Sequence, residues 1–95
     1  MKQKVLAFDI DGVICNTLGS DYKNSKPNKE AIEKINNLYD KGNKIIIFTA
    51  RFMGRTNNNY QEAYKLGYKF TLNQLQSWNL KFNELILGKP SFDLL

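Results

Sequence analysis

The stretch Val5-Leu6-Ala7-Phe8-Asp9-Ile10-Asp11-Gly12-Val13-Ile14-Cys15-Asn16-Thr17 decides the fold. Its apolar run, within a strand expected over about Lys4 to Ile10, reads as a buried strand of a parallel sheet. Asp9 and Asp11 then fall where the strand meets a loop. Open parallel sheets bind ligands at the carboxyl ends of their strands. Residues i and i+2 of an extended segment point the same way, so the two carboxylates share a side.

Two like charges that close are costly unless a cation lies between them or one holds a proton. The pair therefore suits a hard divalent cation, Mg²⁺, or a division of labour between nucleophile and general acid. Asp and Gly are also common turn residues, and taken alone the stretch admits a simple turn as its second reading. The remaining strand ends decide between these readings.

Ninety-five residues make one domain at most, here spanning 1–95, with a thin margin for a buried core. An apolar fraction of 42% and a charged fraction of 24% are ordinary for a soluble globular chain. No apolar run approaches the roughly 20 residues of a membrane span. Asp9 interrupts the N-terminal apolar run, so no signal peptide is expected. The single Cys15 makes no internal disulfide, which suits a cytoplasmic location. With no histidine in the chain, a Cys-His mechanism is excluded and so are the usual zinc sites. Cys15 is expected to be a packing residue. The net charge of +5 comes from scattered lysines without a basic block or aromatic interleaving. That pattern favours a plain solvated surface over attraction of an anionic substrate by the overall field, and nucleic-acid binding has no motif behind it.

Residues 11 to 26 read as a long polar loop of functional length. Pro27 is expected in the first turn of a helix whose apolar face is Ala31, Ile32, Ile35, Leu38 and Tyr39, stopped by Gly42. Lys44 to Thr49 reads as a strand buried on both faces. Strand, helix and strand make a βαβ unit with a right-handed crossover. A helix from about Asn58 to Leu66 is expected to stop at Gly67. A second, short helix opens with the capping-box pattern Thr71-Leu72-Asn73-Gln74. Trp78 and Tyr64 are expected in the core. Glu84 to Leu87 reads as a third strand, followed by Gly88-Lys89-Pro90.

The three strands thus end in Asp9 and Asp11, in Thr49-Ala50-Arg51, and before Lys89. In a parallel sheet these ends share one edge. Acids, a hydroxyl, loop N–H groups and cations make an inventory for phosphoryl transfer. No Walker loop or GxGxxG is present.

Phe8-Asp9-Ile10-Asp11-Gly12-Val13 resembles the first motif of the haloacid dehalogenase-like phosphohydrolases. Ile46-Ile47-Phe48-Thr49-Ala50-Arg51 resembles their second motif and Gly88-Lys89-Pro90 their third. Order and spacing agree over nearly the whole chain. The resemblance implies a Rossmann-like three-layer α/β sandwich with a central parallel sheet. It also implies a Mg²⁺-dependent phosphatase of the small, capless kind found in polysaccharide biosynthesis. Asp9 would be the nucleophile, forming an aspartyl-phosphate, and a Mg²⁺ ligand. Asp11 would be the general acid/base, with its backbone carbonyl on the metal. Thr49 and the N–H of Ala50 would hold phosphate oxygens beside Gly12, and Lys89 would neutralise charge. Arg51 and Arg55 are open between substrate contact and surface.

The family's fourth motif, further acids at the end of the next strand, has no counterpart after Lys89, where Asp93 stands alone. The resemblance therefore implies a chain lacking its C-terminal strand, with a weakened metal site. It also implies an unpaired edge on the Asp9 strand, through which a homodimer or strand exchange is expected. The substrate implied is a small phosphorylated metabolite such as a sugar phosphate. The rival readings are a non-catalytic binding or partner module and, on charge alone, a nucleic-acid end-processing phosphatase.

Overall fold

The computed structural model describes residues 3–19, 21–51 and 60–87, with the side chains of 60–64 and 66 left aside. Three parallel strands form the main sheet, β1 (Val5–Asp9), β4 (Lys44–Thr49) and β5 (Glu84–Leu87), in the order β1-β4-β5. The register sets Asp9 opposite Phe48 and Thr49 opposite Leu87. The carboxyl ends of all three strands therefore share one edge, as expected. Helix α1 (Lys29–Asp40) packs on β4 and helix α2 (Tyr60–Ser77) on β5. The class is α/β with a parallel sheet, as the sequence implies.

Residues 11–19 and 21–27 hold more regular structure than the expected loop. Cys15–Asn16 (β2) pairs antiparallel with Lys26–Pro27 (β3). Between them lies a turn of 3₁₀ helix, Tyr22–Asn24. The carbonyl of Ile10 anchors the first bend, accepting from the N–H groups of Val13, Ile14 and Cys15. Pro27 belongs to this ribbon and not to α1. Asn28 is the helix N-cap instead, its side chain accepting from the Ala31 N–H at 3.1 Å. A side-chain acceptor satisfies an otherwise orphaned N–H, which proline cannot do. The other end of α1 is as expected: Ile32 and Ile35 are buried, and Gly42 takes φ +95°, where a side chain would be strained.

Two expectations are corrected by packing. The first concerns α2, which runs unbroken through Gly67 and Thr71. Gly67, Thr71 and Leu75 are all buried and recur every four residues along one seam. The small residues let the helix lie close to its neighbours, and that burial offsets glycine's helix penalty of about 1 kcal/mol. The Thr71 hydroxyl is buried without a hydrogen-bond partner among the described residues, so it caps nothing. The second concerns β4, whose two faces differ. Ile45, Ile47 and Thr49 are buried, whereas Ile46 and Phe48 are only partly covered.

The core lies on the Ile45 and Ile47 face, joined by Ile32, Ile35, Leu75, Leu80 and Leu85. Both helices thus cover the same side. On the other face Val5 is 62% and Ile86 38% exposed. Among the described residues no helix supplies a layer there. Trp78 packs against the core, as expected, while Tyr64 falls among the side chains left aside.

Candidate active site

The sheet edge where β1 and β4 end opens into a cleft of about 220 Å³ lined by Asp9, Asp11, Gly19, Tyr22, Thr49, Ala50 and Arg51. Asp9 is the last residue of β1, and its Oδ1 accepts from the Ile10 N–H at 2.8 Å. Asp11 lies beyond it, with Ile10 between them fully buried as the anchor of the bend. Thr49 is the last residue of β4 and is buried. Its Oγ1 accepts from the Arg51 N–H at 3.1 Å, which leaves the hydroxyl proton to donate elsewhere. Ala50 is exposed on the rim. Gly12 borders a neighbouring depression with Thr17, Leu18 and Lys26. Lys89 and Arg55 lie outside the described residues.

Arg51 is buried, at 1% exposure, and its guanidinium faces inward. It grips Asp11 with two nitrogens: Nη2 donates to Oδ1 at 2.9 Å and Nε to Oδ2 at 3.0 Å. Nη1 donates to Gln74 Oε1 at 2.6 Å. Thr17 also donates to Asp11 Oδ1, at 2.6 Å. Burial pushes the Asp11 carboxyl up, but the bonds from Arg51 and Thr17 outweigh it and hold the group below its ordinary 3.8. Asp11 is therefore an anion at neutral pH in this arrangement.

Cys15 is buried behind the same cluster, with Sγ 3.5 Å from Asp11 Oδ1 and 3.6 Å from Arg51 Nη2. Burial pushes its thiol above the ordinary 9.0, helped by the Asp11 charge and opposed by Thr17 and Arg51. A protonated, buried thiol is a poor nucleophile.

Three residues of this cluster carry no signal in the sequence. Tyr22 stacks on Arg51, with its ring centre 4.7 Å from the guanidinium carbon. Gln74 comes from α2, and its Nε2 donates to the Tyr22 carbonyl at 2.7 Å. Thr17 reaches Asp11 only because the β2–β3 ribbon folds back. A polar loop and an isolated helical glutamine give no pattern that marks them, and the partners of Tyr22 and Gln74 lie far away in sequence.

A parallel α/β sheet that gathers two aspartates and a threonine at adjacent strand ends defines a class of enzyme-like folds with strand-end sites. Residues 6–73 match the sequence family described as haloacid dehalogenase-like hydrolase, and the chain belongs to that family. The crystal structure of an MCSG target from Vibrio cholerae is similar, with a TM-score of 0.87 at 26% identity. The likeness covers 98% of this chain and 80% of that one. Comparison with curated proteins finds no match.

Proposed function

We propose that the chain is a phosphomonoester hydrolase working through Asp9. The observation that supports this most is the meeting of Asp9, Asp11, Thr49 and Ala50 in one cleft at the ends of adjacent strands. Asp9 Oδ attacks phosphorus as the bond to the leaving oxygen breaks, so that an aspartyl-phosphate forms and the leaving oxygen takes up a proton from water. Water then attacks phosphorus, Asp11 takes its proton, the bond from phosphorus to Asp9 Oδ breaks, and phosphate leaves. A positioned acid/base of this kind typically contributes 10²–10⁴-fold. The free O–H of Thr49 and the N–H of Ala50 receive phosphate oxygens.

Asp9 and the Asp11 main-chain carbonyl are hard oxygen donors of the sort Mg²⁺ takes alongside water and substrate phosphate. When bound, the ion supplies neutralising charge for the phosphoryl oxygens. A cleft of about 220 Å³ suits a phosphoryl group with a small organic part, such as a sugar phosphate. The surplus of positive charge favours such anions.

Hydrolysis of an aryl phosphate with Mg²⁺ tests the reading. Turnover by the wild type and its loss to background in Asp9→Asn are expected. A wild type no faster than Asp9→Asn would sink it. One observation favours a second reading, a phosphate-binding module without turnover. Among the described residues no group of three or more His, Cys, Asp or Glu gathers to hold a metal. Vanadate binding by a chain that hydrolyses nothing would select that reading.

A further inference from the structure

The cluster behind the cleft is connected more widely than phosphate binding requires. Arg51 has all three guanidinium nitrogens engaged, on Asp11 and on Gln74. Gln74 in turn holds the Tyr22 carbonyl, and the Tyr22 ring lies on the guanidinium face. One buried cation therefore touches the Asp11 loop, helix α2 and the Tyr22 turn that lines the cleft. Asp11 is 40 residues from Arg51 and Gln74 is 52 from Tyr22, so these bonds exist only in the assembled fold.

We propose that Arg51 is a positioning residue. Its planar fork fixes the Asp11 carboxylate and, through Gln74, fastens the Tyr22 turn at the wall of the cleft. The setting of the acid/base group and the shape of the cleft wall are thus one device. The assignment of a reaction to Asp11 rests on the phosphatase reading, whereas the coupling of Asp11 to Tyr22 does not. The geometry explains why arginine suits the position. A fork can hold two carboxylate oxygens while presenting a third edge to Gln74 and a flat face to Tyr22, and an ammonium cannot.

The test compares wild type, Arg51→Lys and Gln74→Leu. Gln74 touches no reacting atom, and Gln74→Leu keeps the helix and the bulk, so it serves where Arg51→Lys does not fold. NMR of the full chain reads the Arg51 Nε–H signal and the nuclear Overhauser contact between the Tyr22 ring and the Arg51 stem. Aryl phosphate hydrolysis with Mg²⁺ reads kcat and KM separately. In Gln74→Leu the Nε–H is expected to exchange about tenfold faster and the Tyr22 contact to vanish. At the same time kcat should fall about tenfold with KM within twofold, while amides of α1 exchange as in wild type. Arg51→Lys is expected to lose the same kcat, the conservative charge giving no rescue. An unchanged Nε–H signal and Tyr22 contact in Gln74→Leu would overturn the coupling. Loss of kcat and KM in proportion to a loss of α1 protection would overturn the positioning role in favour of mere stability. If the wild type does not turn over, the phosphatase reading fails alone, and the NMR arm still decides the coupling.

Discussion

Asp11 and Arg51 form a pair in which the cation is wholly buried and the anion 30% exposed on its side chain. Removing one partner of such a pair leaves a charge without compensation, which is more damaging than never having had the pair. The pH dependence follows from the depressed carboxyl. Its contribution to stability is fully present above the unfolded value near 3.8 and is lost as pH falls through the lower folded value. Asp11→Asn should therefore be clearly less stable than wild type to urea at pH 7. The gap should close below pH 3.8, and a gap that is constant with pH would contradict the pairing.

Cys15 has the opposite sign. Its thiol is raised in the fold, so its contribution is present below the unfolded value near 9.0 and fades as pH climbs through the folded one. At pH 7.5 iodoacetamide should label native Cys15 at least tenfold more slowly than the urea-unfolded chain. Equal rates would contradict its burial.

At the scale of elements, α2 shows best what local pattern reveals and what it hides. The apolar positions of α1 and the run Ile45-Ile46-Ile47-Phe48 were legible because period and composition agree with the fold. The strand ends Asp9 and Thr49 were legible for the same reason, being fixed by where an apolar run stops. Gly67 and Thr71 misled because both carry strong local preferences that burial against the sheet overrides. The β2–β3 ribbon was hidden because two-residue strands have no period to read. The clasp of Arg51, Gln74 and Tyr22 was hidden because each bond spans at least 23 residues. The buried Thr71 hydroxyl offers a test at this scale. An unsatisfied buried hydroxyl costs about 1–3 kcal/mol, so Thr71→Val should stabilise the chain by about 1 kcal/mol in urea unfolding. A destabilisation would show that the hydroxyl has a partner after all.

At the scale of the molecule, the sheet is asymmetric. Among the described residues β1 pairs only with β4, and a groove of about 530 Å³ floored by Leu6, Phe8 and Leu38 runs beside it. An unpaired edge next to apolar side chains is a template for a further strand. We propose that copies of the chain associate through this edge. Sedimentation velocity should give a mass that rises with concentration. Val5→Lys, at an exposed position of β1, should return it to the monomer value, because an edge charge disfavours pairing. A monomer at every concentration would dismiss the idea. None of the described helices is long and apolar enough to cross a bilayer.

The long separations in the Arg51 clasp also impose an order in time. During synthesis Asp11 emerges first, Arg51 follows 40 residues later, and Gln74 comes 23 residues after that. At translation speeds of about 5–20 residues per second, the carboxylate waits on the order of several seconds for its last neighbour. Through that interval the bonds from Gln74 to Arg51 and to Tyr22 cannot form. The chemistry proposed for this sheet edge therefore waits for the final turns of α2, however early its aspartates were made.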